Sequence, residues 1–174
     1  MATTELRDRL QPALLDRLTD HSPHQRVESE QDSVMTKAQL RQAVLRDLGW
    51  LFNATQPQPE WSTAMPALAG TVLNFGLPPL AGQRVSRLDV HELETTIAQA
   101  IRTFEPRILP DTLSVRALEA GSVLDTHNMI EFEIRGHMWA QPVPLEILLR
   151  TRLDLEAGQV EVRDAAPSAP VREG

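Results

Sequence analysis

Midway along the chain the hydrophobic period changes from 3.6 to 2, and the change falls at a proline. Val90, Leu93, Ile97, Ala100, Ile101 and Phe104 recur at helical spacing and form one continuous apolar stripe. Asp89 and Glu92 stand ahead of it at capping-box spacing. Pro106 disfavours helical geometry at Glu105, so the helix is predicted to stop near Phe104. Beyond it the apolar residues alternate: Leu113, Val115 and Ala117; Ile130, Phe132 and Ile134; then Leu145, Ile147, Leu149, Thr151, Leu153 and Leu155. Val160 and Val162 make a short last strand after a turn through Ala157 and Gly158. The pattern predicts an α+β domain, with N-terminal helices and a central helix followed by an antiparallel β-meander. Glu131 and Glu133 are expected to oppose Arg150 and Arg152 on its charged face. The short last strand leaves an edge open to a strand from another chain.

The helix exit carries the sharpest local signal. Glu105 and Arg107 flank Pro106, and in an extended step residues i and i+2 point to one side. A carboxylate and a guanidinium then share a stiff ledge, with Arg107 near the negative end of the helix dipole. An ordinary polar helix exit is the plainer alternative.

A second helix is predicted from Thr36 to Asn53, with Thr36 and Gln39 at capping-box spacing. Leu40, Val44, Leu48 and Leu51 share one face, flanked by Ala43 and Trp50 on one side and Phe52 on the other. Asp47 lands near the middle of that face. An unpaired charge there costs several kcal/mol, so Asp47 is expected to meet Arg107 or backbone N–H groups of a loop. A tilted helix that leaves Asp47 at the rim is the alternative.

Between these helices, Trp61 to Gln83 is uncharged and carries Pro66, Pro78, Pro79 and three glycines. It is too interrupted for a membrane helix and too apolar to float in water. We expect a short apolar helix and a turn at Asn74 to Gly76, laid over the core, with Asn74 satisfying backbone groups. The alternative is an apolar surface ridge for another subunit.

The ends differ from the middle. Leu6, Leu10, Leu14 and Leu18 recur every fourth residue in an amphipathic segment spanning 1–18, with Pro12 suited to the first turn of a second helical piece. This segment either folds back on the domain or docks a partner. Residues 19–35 read as a polar linker, 36–164 as the single α+β domain, and 165–174 as a loose tail.

Composition narrows the chemistry. Of 174 residues, seventeen are basic and twenty-four acidic, a net charge of −7, which argues against nucleic acid or an anionic membrane as main partner. With no cysteine there is neither a disulfide frame nor thiolate chemistry. The start lacks the apolar core of a signal peptide, so a cytoplasmic protein is expected. No phosphate loop, glycine fingerprint or nucleophile elbow is found. His21, His24, His91, His127 and His137 show no paired ligand spacing, so neither a metal nor a cofactor is expected. Glu131 and Glu133 on one strand face would stand ~6–7 Å apart. That roughly fits the ~6.5–9.5 Å of an inverting glycosidase. They alternate with core residues on a solvated face, whereas a general acid wants burial.

Five pieces then occur in one order: LLDRL at 14–18, RDLGWLFN at 46–53, TVLNFGLPPL at 71–80, FEPR at 104–107 and TRLDLEAGQVEV at 151–162. Together they resemble the TssE family, the E subunit of the type VI secretion baseplate. That family belongs with the small wedge protein of contractile phage-tail baseplates, historically labelled lysozyme-related. The family's Glu-Pro-Arg signature falls on Glu105, Pro106 and Arg107, and its Arg-Asp-Leu helix on Arg46, Asp47 and Leu48. Its Leu-Asn-Phe/Tyr-Gly piece falls on Leu73, Asn74, Phe75 and Gly76. Phe52 departs from the leucine of many members. The resemblance implies a structural, non-enzymatic subunit, with a fold like the sheath's own strand-exchange module. Its implied partners are the wedge subunits TssF, TssG and TssK and the sheath subunits TssB and TssC. Its implied role is to link the wedge to the first sheath ring and template sheath assembly. A peptidoglycan-cleaving hydrolase and a generic oligomerisation adaptor are the alternatives.

Overall fold

The alternating half of the chain forms one four-stranded antiparallel sheet in the order β1-β2-β3-β4. In the computed structural model its strands are β1 Ser114–Ala117, β2 Met129–Met138, β3 Leu145–Asp154 and β4 Gln159–Asp164. Among the described residues three α-helices precede it: α1 Leu14–Leu18, α2 Lys37–Asn53 and α3 Val90–Phe104. The structure describes residues 13–19, 24, 35–57, 65–82, 88–118, 128–140 and 142–165. Leu6, Leu10, Pro12, nearly all of the 19–35 linker and the tail from 166 lie outside them.

Each long helix starts where a side chain takes over its free N–H groups. Thr36 and Gln39 make a reciprocal capping box at α2. At α3, Asp89 accepts from the N–H groups of His91 and Glu92. α2 buries Leu40, Ala43, Val44, Leu48, Leu51 and Phe52, and α3 buries Leu93, Ile97, Ala98, Ala100 and Ile101. These side chains meet Ile130, Phe132, Ile134, Ile147, Leu149 and Leu153 of the sheet in one core. α2 lies against β4 and α3 against β1.

The register fixes the sheet's polar face. Glu131 stands opposite Arg152 and Glu133 opposite Arg150. Glu131 pairs with Arg152 at 3.0 Å, but Glu133 turns along its own strand to Arg135 at 2.6 Å. The β3–β4 turn is held by Asp154, whose Oδ1 accepts from the N–H groups of Glu156 and Ala157. Gly158 follows with φ +66°, a conformation that glycine adopts without steric cost.

Both sheet edges meet a side chain from a helix. The last residue of α2, Asn53, donates to the carbonyl of Val160 (2.8 Å) and accepts from its N–H (2.9 Å). The Asn53 amide thus occupies both backbone groups of β4 where a new strand would pair. At the other edge, Glu94 of α3 accepts from the N–H of Ala117 at 2.7 Å.

Two expectations are corrected. The 61–84 segment forms no helix over the core in its described part, but two 3-10 turns, Pro66–Leu68 and Val72–Asn74. Met65, Val72 and Leu73 point to solvent, while Leu77 is buried and Phe75 and Leu80 pack on the core edge. Pro66, Gly70, Gly76 and Pro78 recur too closely for an i to i+4 ladder to propagate. Trp50 is exposed rather than flanking the core, and lies 5.0 Å from the guanidinium of Arg46.

Candidate functional site

At the end of α3 the chain turns through Glu105, Pro106 and Arg107. Pro106 has no N–H to continue the helix, and the Glu105 N–H closes the last turn on Ile101 at 2.8 Å. Past the proline the chain runs beside the end of β2. The Arg107 carbonyl accepts from Trp139 N–H, Leu109 N–H donates to His137, and Ile108 bridges Met138 antiparallel. The corner is therefore pinned on both sides before any side chain is counted.

Its side chains then close on one another. Glu105 is buried, and one carboxylate oxygen accepts from both the N–H of Arg107 (3.1 Å) and its Nε (2.7 Å). The other oxygen takes Nη2 at 2.5 Å. The pair is bidentate, which gives geometry as well as energy. Nη2 of Arg107 also reaches Oδ2 of Asp47 at 2.5 Å. Asp47 is half-buried and faces the corner from α2. Its other oxygen accepts from Nε of Arg46 at 2.8 Å, and Nη1 of Arg46 reaches Asp16 on α1 at 2.5 Å. The result is a chain of alternating charge: Asp16, Arg46, Asp47, Arg107, Glu105.

This alternation sets the electrostatics. Burial works against the charge of Arg107, but the hydrogen bonds and charge of Glu105, and then of Asp47, outweigh it and hold its pKa above the ordinary arginine range. The pKa of Arg46 is also raised, by its hydrogen bonds to Asp16 and then Asp47. Such a cluster joins α1, α2 and the helix exit through alternating charge.

The loop of the Leu-Asn-Phe-Gly piece reaches the same corner. Phe75 meets Phe104, the last residue of α3, edge to face with centroids 5.3 Å apart. Asn74 donates to the Ala69 carbonyl at 3.1 Å and so ties the loop to itself. Gly76 has φ +125°, and a Cβ there would stand 2.3 Å from the carbonyl oxygen of Ala54. Only glycine lets this loop close on the end of α2, where Leu77 N–H donates to Ala54 and Gln56 N–H to Leu77. Arg46, Asp47, Glu105 and Arg107 thus form one network, with Phe75 packed at its helix and Gly76 at the far end of α2.

Two members were not singled out from sequence. Asp16 sits inside LLDRL, where the leucine period drew attention away from the acid. Asn53 ends the RDLGWLFN piece, and an amide at a helix C-terminus gives no sign of the strand it clamps. α1 itself touches α2 through Asp16 and Arg46, while Leu14, Leu15 and Leu18 face solvent. Glu131 and Glu133 are each bridged to an arginine on the polar face, unlike the apolar setting that a proton-donating acid requires. Among the described residues no group of three or more metal-ligating side chains comes together. No helix among them is long and apolar enough to cross a membrane.

Fold and corner together define an α+β domain whose polar centre joins its own elements rigidly around a helix exit. The chain belongs to the gp25 family of baseplate wedge proteins, whose family model matches residues 38–143. TssE is a member of the same family. The matched span contains Arg46, Asp47, Asn74 to Gly76 and the Glu-Pro-Arg corner, and it ends before β3. The protein is thus of a structural family of contractile baseplates. No curated protein and no solved structure matches the chain.

Proposed function

We propose that this chain is the TssE-type subunit of a type VI secretion baseplate, working on the cytoplasmic side without catalysis. In this reading it joins the TssF–TssG wedge, with TssK attached, to the first sheath ring of TssB and TssC. There it templates sheath assembly. The observation that carries the reading is the corner at Glu105, Pro106 and Arg107. It is locked to α2 through Asp47 and pinned to the end of β2. Such a site transmits force between elements and presents a fixed polar surface to neighbouring subunits.

The test is co-purification from the native host. Tagged wild-type chain is expected to bring down TssF and TssG, and sheaths are expected to form. Asp47→Asn keeps an acceptor for Arg107 but removes a charge from the chain of five. It is expected to stay folded by circular dichroism and to lose wedge partners. Full recovery of both subunits and normal sheaths with a folded Asp47→Asn chain would show that the corner only stabilises the fold.

A further inference from the structure

Both long helices pack on one face of the sheet, α2 against β4 and α3 against β1. The other face is open, and period-2 alternation turns every arginine of the four strands toward it. Arg116, Arg135, Arg150, Arg152 and Arg163 are all exposed there. The whole chain carries more acids than bases, twenty-four to seventeen, yet three of these arginines stand together on β3 and β4.

The acids of the face are shared out unevenly. Glu131 holds Arg152 at 3.0 Å, and Glu161 holds Arg163 at 2.7 Å. The register sets Glu133 opposite Arg150, but Glu133 is bound to Arg135 at 2.6 Å. Arg116, on the outer strand, acts on Glu94 of α3. Arg150 is left without an ion pair among the described residues. Its neighbour on β4 is a like charge, because the register sets Arg163 directly opposite. Opposite residues of an antiparallel pair stand ~5.5 Å apart at Cα, and like charges so placed are destabilising. An anion between them removes that repulsion. One step along the same face lies Leu148, half-buried, with its Cα ~7 Å from that of Arg150.

We propose that Arg150 and Leu148 form a docking point for the surface of another protein that presents an aspartate or glutamate beside an apolar side chain. The carboxylate takes the Arg150 guanidinium in bidentate geometry and shields it from Arg163, while the apolar side chain covers Leu148. The contact is made by side chains across the open face and uses no backbone group of the sheet. Glu131, Glu133 and Glu161 interleave with the arginines and repel a run of phosphates, so a single protein-borne carboxylate fits this face better than nucleic acid. The assignment rests on the strand register and stands apart from the baseplate reading.

The test uses the full chain labelled with nitrogen-15. It is titrated with the blocked peptide Thr-Leu-Thr-Glu-Thr, with its glutamine counterpart, and separately with inorganic phosphate and a short oligothymidylate. The glutamate peptide is expected to move the Nε–H signal of Arg150 and the amides of Leu148 and Arg150. The glutamine peptide is expected to bind about fivefold more weakly, through loss of the charge-assisted bond. Arg150→Gln is expected to reduce the glutamate peptide to the level of the glutamine one. It is also expected to leave the urea midpoint no lower, since it removes a like-charge contact and no ion pair. A lowered midpoint would show that Arg150 serves the fold and would overturn the proposal. So would equal binding of the two peptides, or no shift with millimolar glutamate peptide. Shifts of the same signals that phosphate or oligothymidylate produces equally well would overturn it too, as would shifts that appear when the chain alone is concentrated, which would assign the face to a second copy.

Discussion

The same Glu-x-Arg spacing occurs three times among the described residues, and the three copies have different settings. Glu105 with Arg107, Glu133 with Arg135 and Glu161 with Arg163 all form ion pairs, at 2.5, 2.6 and 2.7 Å. The glutamate side chains are 3%, 16% and 51% exposed in that order. Only the first has a proline between its members, a third charged partner on another helix, and backbone pinning on both sides. The distances barely differ, so distance does not distinguish a structural clamp from surface decoration. Burial and the number of elements joined do.

The largest effect is expected at the buried pair. Arg107→Ala leaves the Glu105 carboxylate in the core with one backbone N–H and removes the bridge to Asp47. Breaking a buried pair from one side costs about 3–5 kcal/mol. A urea melt is expected to show that loss, a large share of the stability of a domain this size. Replacing both members, as Glu105→Leu with Arg107→Met, removes the stranded charge and is expected to recover most of it. If the single variant loses less than about 1 kcal/mol, the corner behaves like a surface pair and the contrast fails.

Much of this was legible in the sequence. The helix stop at Phe104 followed from Pro106, the meander from the period-2 runs, and the pairing of Asp47 with Arg107 from the cost of an acid on an apolar helix face. The burial of the glutamate, rather than of both residues equally, was not legible. It depends on which side the end of β2 approaches, and that contact is set between residues 108 and 138. The solvent-facing Val72 and Leu73 were not legible for a related reason. Hydrophobicity says that a segment tends to be covered, and says nothing of whether its own chain covers it. The clamp of Asn53 on β4 joins positions 53 and 160 through one side-chain amide, and no periodic pattern records such a contact.

A middle case sharpens the comparison, because its acid is held by a backbone group instead of an arginine. The pKa of Glu94 is lowered first by the hydrogen bond from Ala117 N–H, against the opposing effect of burial, and then by His91. A lowered folded pKa means the charged form is favoured in the fold. That contribution is complete above the ordinary glutamate pKa and is lost as pH falls through the lowered value. Glu94→Gln keeps an oxygen to accept from Ala117 and removes the titration. It is expected to cost about 1 kcal/mol at neutral pH and to flatten the acid limb of the stability curve. An unchanged acid limb would show that the Ala117 contact does not depend on the charge.

The smallest effects belong to the two surface copies, and their order matters more than their size. Arg135→Ala leaves Glu133 half-covered between β1 and β3, whereas Arg163→Ala leaves Glu161 in water on the edge strand. Exposed pairs gain little because water screens them and two long side chains lose rotamer freedom. Arg135→Ala is therefore expected to lower the urea midpoint slightly, and Arg163→Ala not measurably. Raising salt to about 1 M shortens screening to ~3 Å and is expected to erase that small difference while sparing most of the Arg107 effect, because Glu105 is buried and is bound directly by the guanidinium. Equal losses at all three arginines would mean that contact distance, common to the three, governs after all, and that neither Pro106 nor Asp47 sets the corner apart.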